Sequence, residues 1–305
     1  MDISVIIPVF NSEKILKKLV GQISVELKKY KYEVYLVNDF SRDKSWNVIE
    51  EISAKSKNFI GISLIKNFGQ DNAIMAGLRN CTGKIVVVMD DDLQHSPKDI
   101  SLLVSKCNSG WDVCFADFKL GKKYSFYKKF LSKINSKIGN LILQKPGNIY
   151  LSPFKAIHHS VVKNIIEYNG PFPYIDGLIL RSTSSITQIT VNHFPRELGV
   201  SNYDLLKGAS VFLKHLTGFS IIPLRIAILI GIFSALFGFF LGFYFIVSYL
   251  LFGSNVAGWT TLIVTELIIG GTILISLGMI GEYLGRVYLL LNKSPQYIIK
   301  KKTNE

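Results

Sequence analysis

The sequence KIVVVMDDDLQHSP, at residues 84–97, predicts a buried β-strand that ends in a cluster of acids. A short apolar run of this kind is typical of a buried strand. The three carboxylates of Asp90, Asp91 and Asp92 repel one another unless a cation or hydrogen-bond donors lie among them. Oxygen ligands with few other protein contacts suit Mg²⁺ or Mn²⁺ that is held partly by substrate phosphates. A solvated acidic turn is the alternative interpretation.

Apolar runs and amphipathic helical segments alternate through the first hundred residues. Strands are expected at 3–10, 32–38, 59–65 and 84–89, with helical segments between them. This alternation predicts right-handed βαβ units, and therefore an α/β fold with a mainly parallel sheet and flanking helices. In such sheets, ligands bind at the carboxyl ends of the strands.

Polar residues follow the first two predicted strands. Asn11 and Glu13 come after the first strand, and Asp39 comes after the second. Each alone would be interpreted as an ordinary helix cap, but their recurrence at the edge that carries residues 90–94 favours a nucleotide site. The first strand does not lead into G-x-G-x-x-G, and the sequence lacks G-x-x-x-x-G-K-[ST]. These absences argue against a dinucleotide-binding domain and a P-loop.

The chain as a whole is basic and apolar. Its 305 residues include 35 Lys and Arg against 22 Asp and Glu, a formal charge of +13, and hydrophobic residues make up 49%. This composition excludes a disordered chain, a collagen-like fibre and a small disulfide scaffold. The three cysteines are too few and too irregularly spaced for a disulfide framework or a zinc site, which indicates a cytosolic compartment.

Two apolar stretches, at 226–252 and 257–281, are each long enough to cross a bilayer. Basic residues flank the pair, and the connecting segment has none. The positive-inside rule therefore predicts a two-span hairpin in the cytoplasmic membrane with both termini in the cytoplasm. Glycines at helical spacing would allow close packing in a hairpin or a homo-oligomer. Buried core helices are the alternative, and Glu266 is an unexplained acid in the second span.

A lysine-rich segment at 119–145 has aromatic and aliphatic residues between its lysines. This pattern predicts a basic amphipathic helix in the membrane interface, where Lys128 and Lys129 could hold a lipid phosphate. A solvated surface helix and a nucleic-acid-binding surface are the alternatives. The two predicted spans favour lipid and argue against nucleic acid.

Together these features resemble glycosyltransferase family 2, and within it the polyprenyl-phosphate glycosyltransferases. The matching pieces extend over nearly the whole chain: VIIPVFNSE (5–13), VNDFS (37–41), KNFGQDNAIMAGL (66–78), MDDDLQHSP (89–97), the region around 196–203, TGFSIIPLR (217–225) and GEYLGRVY (281–288). The resemblance implies a GT-A fold, a nucleotide-sugar donor and a polyprenyl phosphate acceptor.

The resemblance also implies roles for individual residues. Those expected to contact the nucleotide sugar are Pro8, Asn11, Glu13, Asp39, Lys66, Gln70, Asp90 and Asp91. Those expected to hold Mg²⁺ or Mn²⁺ are Asp90, Asp92 and Gln94. Those expected to bind the lipid phosphate, in addition to Lys128 and Lys129, are Arg196, Ser201 and Tyr203.

Two positions depart from the family pattern. Phe40 stands where the family usually has glycine. Residues 201–203 are Ser-Asn-Tyr where Ser-Lys-Tyr is more common, so Asn202 replaces the lysine. A lysine contact to phosphate is therefore missing or is supplied by another part of the chain.

The implied reaction is metal-dependent transfer of a sugar from a UDP-linked donor, such as UDP-glucose, to undecaprenyl phosphate, with inversion. Its product would serve envelope glycan modification, as in lipopolysaccharide. The residues expected to act in catalysis are Asp92, Asp176 and Arg196. A lipid phosphate is largely ionised near pH 7 and needs no strong base, so Asp176 is either a base, a positioning residue or a helix cap.

The expected domains are a cytoplasmic catalytic domain (1–202), a juxtamembrane helix (203–225), a transmembrane hairpin (226–291) and a basic cytoplasmic tail (292–305). A processive polysaccharide synthase is one alternative function, but the sequence lacks the Q-x-x-R-W motif of such enzymes. A catalytically silent membrane scaffold is the other, and the presence of Asp90, Asp92 and Gln94 argues against it.

Overall fold

An eight-stranded mixed sheet forms the centre of the larger part of the molecule. The computed structural model describes residues 1–118, 149–191, 222–252, 258–292 and 294–304. The strands are β1 (Ile3–Val9), β2 (Tyr32–Asn38), β3 (Phe59–Leu64), β4 (Ile85–Val88), β5 (Val113–Phe118), β6 (Lys155–His158), β7 (Ile186–Val191) and β8 (Ile299–Lys302). Their order across the sheet is β7-β5-β6-β4-β1-β2-β3-β8.

The four strands β3, β2, β1 and β4 are parallel to one another, as the sequence predicts. Every residue of β1, β2 and β4 is buried, which explains why these strands are mostly apolar and lack the regular polar alternation of a half-exposed strand. From β1 the chain continues to β2 and β3 on one side, and then to β4 on the other side of β1. This change of direction opens a crevice at the carboxyl ends of β1 and β4, where ligands bind in open parallel sheets.

Helices connect and cover the strands. In the sheet-containing part they are α1 (Leu16–Glu26), α2 (Ser45–Lys55), α3 (Gln70–Leu78), α4 (Ile100–Asn108), α5 (His159–Ile166) and α6 (Ile175–Ser182). The helix α3 packs on β1 and β2 at close range, because Gly77 leaves room for Ile6. A Cβ atom at Gly77 would lie 2.5 Å from Cγ2 of Ile6.

The strand β6 gives the sheet its mixed character. It pairs antiparallel with both β4 and β5, while β5 and β7 are parallel. Its register sets Lys155 opposite Val88, two residues before Asp90. A strand from a distant part of the sequence thus brings a lysine to the end of the strand that carries the acids.

The amino-terminal edge of the sheet contains a buried carboxylate, Glu33, which is 5% exposed. Its Oε1 atom accepts hydrogen bonds from the Ser4 hydroxyl (2.6 Å), the Thr82 backbone N–H (2.6 Å) and the Thr82 hydroxyl (3.0 Å). Its Oε2 atom accepts from the Tyr35 hydroxyl at 3.3 Å. Glu33 therefore joins the starts of β1, β2 and β4, at the edge opposite to the acids of 90–92.

The carboxyl-terminal residues form an edge strand, which the sequence does not predict: β8 pairs antiparallel with β3. The Gly61 N–H donates to the Thr303 hydroxyl at 2.7 Å, and the Gln296 side-chain amide donates to the carbonyls of Tyr168 and Gly170 at 2.8 and 2.7 Å. The sequence analysis describes 292–305 only as a basic tail and expects no strand there. The strand has three lysines and one apolar residue, so it lacks a strand-like pattern, although lysines are common in edge strands.

The remaining described residues form two long helices, α7 (Ile222–Phe252) and α8 (Trp259–Leu291). Each contains a stretch long and apolar enough to cross a membrane, at Leu224–Ser248 and Ile268–Leu291. These stretches are almost entirely unburied, unlike core helices. The two helices pack together, and the hydroxyls of Ser234 and Thr272 lie 3.5 Å apart.

The second helix continues ten residues beyond the span predicted to end at 281. Glu282 and Arg286 prolong it with an i,i+4 ion pair, in which Nη2 and Oε1 are 2.9 Å apart. Of the other predicted segments, 119–145 and 203–221 lie outside the described residues. The boundaries of the four expected domains stay predictions.

Candidate active site

A pocket of about 320 Å³ opens at the carboxyl ends of β1, β2 and β4. Its lining residues are Pro8, Val9, Phe10, Asp39, Asn67, Gly69, Gln70, Asp90, Asp91 and Asp92. The structure thus brings together most of the residues that the sequence analysis predicts to bind the nucleotide sugar and the metal ion. Their assigned roles stay predictions.

Asp39, directly after β2, is 4% exposed and holds the loop that precedes α3. Its two carboxylate oxygens accept hydrogen bonds from the backbone N–H groups of Phe68 (2.7 Å) and Gly69 (2.9 Å). Burial raises the pKa of Asp39, and these two N–H groups oppose that rise. A carboxylate has about four lone-pair sites, so Asp39 can still accept a hydrogen bond from a ligand.

Asp91 joins the end of β4 to the end of β1. Its Oδ2 atom accepts hydrogen bonds from the Ser12 hydroxyl and, at 3.3 Å, from the Phe10 N–H. Burial raises the pKa of Asp91 to about 6. The carboxylate therefore fixes one wall of the pocket.

Asp90 and Asp92 are the pocket acids that suit a divalent cation. The Gln70 side-chain amide donates to Oδ1 of Asp90 at 2.7 Å, and the Gln94 backbone N–H donates to Oδ1 of Asp92 at 3.1 Å. Burial, and then the charges of Asp92 and Asp91, raise the pKa of Asp90 to about 7. Mutual repulsion of this kind is relieved when a cation binds.

Within the described ranges, no group of three or more His, Cys, Asp and Glu side chains is arranged as a complete metal site. Two carboxylates are nevertheless enough for Mg²⁺, which commonly takes its other ligands from substrate phosphates and water. Asp90 and Asp92 fit that ion. The predicted third ligand, Gln94, is not among the residues that line the pocket.

Three further residues predicted to contact the donor do not line the pocket. Asn11 accepts a hydrogen bond from the Arg42 N–H at 2.8 Å, and Glu13 accepts one from the Lys44 N–H at 2.8 Å. These two bonds tie the loop after β1 to the loop after β2. Lys66 is exposed, and its Nζ atom lies 5.0 Å from the centroid of the Phe68 ring.

The backbone is strained where the pocket strands end. Asn11, Phe40 and Leu93 have positive φ angles of 56°, 60° and 58°. A left-handed backbone costs a residue with a side chain about 1–2 kcal/mol. The angle at Phe40 gives a physical reason for the glycine that the family usually has there.

A second cluster of charged groups surrounds Asp176, in the first turn of α6. The Nζ atom of Lys155, which is 3% exposed, forms an ion pair with Oδ1 of Asp176 and lies 5.4 Å from the centroid of the Phe115 ring. Burial, and then the charge of Asp176, raise the pKa of Asp71 to about 6, and the charge of Lys155 opposes this rise. Sequence reasoning missed Lys155, because a single lysine in SPFKAI carries no signal of burial.

The remaining predicted site residues lie outside the described part of the chain. They are Lys128, Lys129, Arg196, Ser201 and Tyr203.

Comparison with known proteins identifies the family. The model of the family described as glycosyl transferase family 2 matches residues 4–166, more than half of the chain and all of the pocket. The chain belongs to glycosyl transferase family 2. The predicted resemblance is thereby confirmed, and as a family 2 member the protein is a glycosyltransferase.

Curated relatives in family 2 match nearly the whole chain. A protein of Shigella flexneri named SfII prophage-derived bactoprenol glucosyl transferase is 30% identical over 311 residues, which cover 99% of this chain and 98% of the relative. A protein of Pseudomonas fluorescens named undecaprenyl-phosphate 4-deoxy-4-formamido-L-arabinose transferase is 30% identical over 308 residues, which cover 98% of this chain and 89% of the relative.

A solved structure has the same fold. Glucosyl-3-phosphoglycerate synthase of Mycobacterium tuberculosis, crystallised with Mn²⁺, UDP and phosphoglyceric acid, matches with a TM-score of 0.54 and 16% identity. The match covers 71% of this chain and 76% of that chain. The predicted α/β, GT-A-like fold is confirmed.

Proposed function

We propose that this glycosyltransferase moves a sugar from a nucleotide-sugar donor to a polyprenyl phosphate. The observation that carries the proposal is the convergence of Asp39, Asp90, Asp91 and Asp92 in one pocket at the switch point of the sheet. Relatives named for transfer to bactoprenol and to undecaprenyl phosphate support the acceptor, because they match this chain through both apolar helices.

The donor would bind with its nucleoside near Asp39. The carboxylate of Asp39 is fixed by two backbone N–H groups and retains lone pairs for a base N–H or a ribose hydroxyl. A UDP-sugar, such as UDP-glucose, is our proposal for the donor.

The diphosphate would lie against Asp90 and Asp92, which would share Mg²⁺ or Mn²⁺ with it, and Gln94 stays a candidate ligand. The ion would neutralise the charge that builds on the diphosphate as the bond from the sugar C1 to its oxygen breaks. Gln70, hydrogen-bonded to Asp90, would orient that carboxylate.

The acceptor phosphate can attack the sugar directly, because its second pKa is near 6 and it is largely ionised near pH 7. A phosphate oxygen would form the new bond to C1 as the bond to the leaving nucleoside diphosphate breaks, which inverts the configuration. We propose that Arg196, Ser201 and Tyr203, with Lys128 and Lys129, hold the acceptor phosphate.

The two apolar helices would anchor the enzyme in the cytoplasmic membrane, with the catalytic domain and both termini in the cytoplasm. The polyprenyl-linked sugar would then serve envelope glycan modification.

The test incubates the purified full chain in detergent with undecaprenyl phosphate, Mg²⁺ or Mn²⁺ and a panel of radiolabelled nucleotide sugars. We expect label in the lipid phase with one donor, and none after EDTA treatment. Asp92→Ala should abolish transfer, because it removes a carboxylate of the proposed metal site. The matched control is Glu51→Ala, which removes an exposed carboxylate that pairs with Lys17. Full activity of Asp92→Ala would refute the metal assignment, and absence of lipid labelling with every donor would refute the acceptor.

A further inference from the structure

The carboxyl edge of the sheet is strongly acidic in its described part. Asp90, Asp91 and Asp92 line the pocket, and Asp71 and Asp176 lie in the adjoining cluster. A phosphate dianion that approaches such an edge is repelled by every carboxylate that has no compensating charge. The proposed reaction nevertheless needs an anionic acceptor to reach the sugar at this edge.

Lys155 places a positive charge within this acidic group. The antiparallel pairing of β6 with β4 sets it beside the strand that ends in the pocket acids, and its ammonium group pairs with Asp176. It lies opposite Val88, two residues before Asp90, and its charge opposes the raised pKa of Asp71, so it stands between the two groups of acids. A buried lysine loses hydration and is rarely found without a compensating partner.

We propose that Lys155 is a positioning residue that compensates the charge of Asp176, and that this compensation lets the anionic acceptor phosphate reach the acidic edge. The inference rests on the proposed function and deepens it. Lys155 acts through the pair and through its field, because its side chain is only 4% exposed and already engages Asp176.

The pair also redefines Asp176. Oδ1 of Asp176 is already engaged by the ammonium group of Lys155, and a lipid phosphate needs no base. Asp176 is therefore the anion that holds the Lys155 side chain in place. Its removal should not slow the chemical step as the loss of a general base would, by about a hundredfold or more.

The experiment compares four variants. Lys155→Met, Asp176→Asn and the double variant remove one or both charges with little change of shape, and Lys155→Arg keeps the positive charge. The rates are measured with the full chain in detergent, a short-chain polyprenyl phosphate and the donor found in the transfer assay. We expect Lys155→Met to raise the KM for the acceptor about tenfold or more, with a smaller change for the donor, because the donor diphosphate binds with a divalent cation. Lys155→Arg should retain a KM near that of the wild type.

The double variant is decisive, since its net charge equals that of the intact pair. We expect its acceptor KM within about threefold of the wild type, although both side chains are altered. For Asp176→Asn we expect an acceptor KM below those of the wild type and the double variant, because Lys155 keeps its charge there, and a kcat that falls less than tenfold. A merely structural role would lower the melting temperature of Lys155→Met and leave its acceptor KM unchanged.

Three results would overturn the inference. They are an unchanged acceptor KM in Lys155→Met, an acceptor KM in the double variant as high as in Lys155→Met, and a hundredfold loss of kcat in Asp176→Asn. If Lys155→Met does not fold, Asp176→Asn is compared with the double variant, because these two differ only in the charge of Lys155. Equal acceptor KM values in Asp176→Asn and the double variant would also overturn the inference. Failure of the proposed function is distinguishable, because the wild type itself would then not label the lipid.

Discussion

Replacement of Glu33 by alanine should destabilise the fold and leave catalysis intact. Glu33 accepts hydrogen bonds from the Ser4 hydroxyl, from the Thr82 N–H and hydroxyl, and from the Tyr35 hydroxyl. Tyr35 keeps a second partner, the Asn80 carbonyl, and the exposed Thr82 can turn to water. Ser4 is fully buried, so its hydroxyl loses its acceptor.

The expected cost follows from these partners. A buried donor left without an acceptor costs about 1–3 kcal/mol, and the loss of charge-assisted bonds from Thr82 adds to it. We expect Glu33→Ala to lose roughly 3–4 kcal/mol of unfolding free energy. For a unit of this size, that corresponds to a fall in melting temperature of about 10 °C. Glu33→Gln keeps an acceptor oxygen and should lose about half as much.

The assay is thermal unfolding of the full chain in detergent, followed by tryptophan fluorescence, together with sugar transfer well below the melting temperature. The exposed carboxylate of Glu51, in a surface ion pair, supplies the control, and its replacement should change the stability by less than about 1 kcal/mol. Since Glu33 lies at the edge of the sheet opposite to the pocket, kcat and KM should stay at wild-type values. An unchanged melting temperature in Glu33→Ala, or a changed KM in its folded form, would refute this reasoning.

Three further predictions concern the pocket region and its support. The pKa of Asp71 is raised from 3.8 to about 6 in the folded state, so between these pH values the folded state holds a proton that the unfolded state has lost. The unfolding free energy of the wild type should therefore decrease as the pH rises from about 4 to 6. Asp71→Asn should flatten that fall and be more stable above pH 6, as measured by denaturant unfolding; an unchanged pH profile would contradict it. Phe40→Gly should raise the unfolding free energy by about 0.5–1 kcal/mol, since relief of the positive φ exceeds the entropic cost of glycine, and a lower melting temperature would show that the ring stabilises the fold. Gly77→Ala should cost about 1–3 kcal/mol in the same unfolding assay, because its Cβ would overlap Ile6, and full stability would mean that α3 shifts freely.

Local sequence signals predicted the part of the site that depends on strand ends. The apolar runs before Asn11, Asp39 and Asp90 ended where expected, and the parallel order of β1, β2 and β4 follows from the alternation of strands and helices. Because these three strands are parallel, the residues that follow them converge without any further information.

Residues whose roles depend on distant partners could not be predicted in this way. Lys155 is buried only because β6 lies between β4 and β5, and no periodicity in the sequence specifies that position. Asn11 and Glu13 follow a pocket strand, yet their side chains bind the neighbouring loop after β2. Position after a strand indicates nearness to a pocket, whereas the direction of a side chain depends on the packing of the loops.

The carboxyl-terminal strand determines how a version of this enzyme without its apolar helices would have to be made. A stop codon before residue 222 would also delete β8 and Gln296, and would leave β3 as a bare edge open to intermolecular pairing. An internal deletion that rejoins the two ends through a flexible linker keeps that strand in place, and is the design we would choose for expression without detergent.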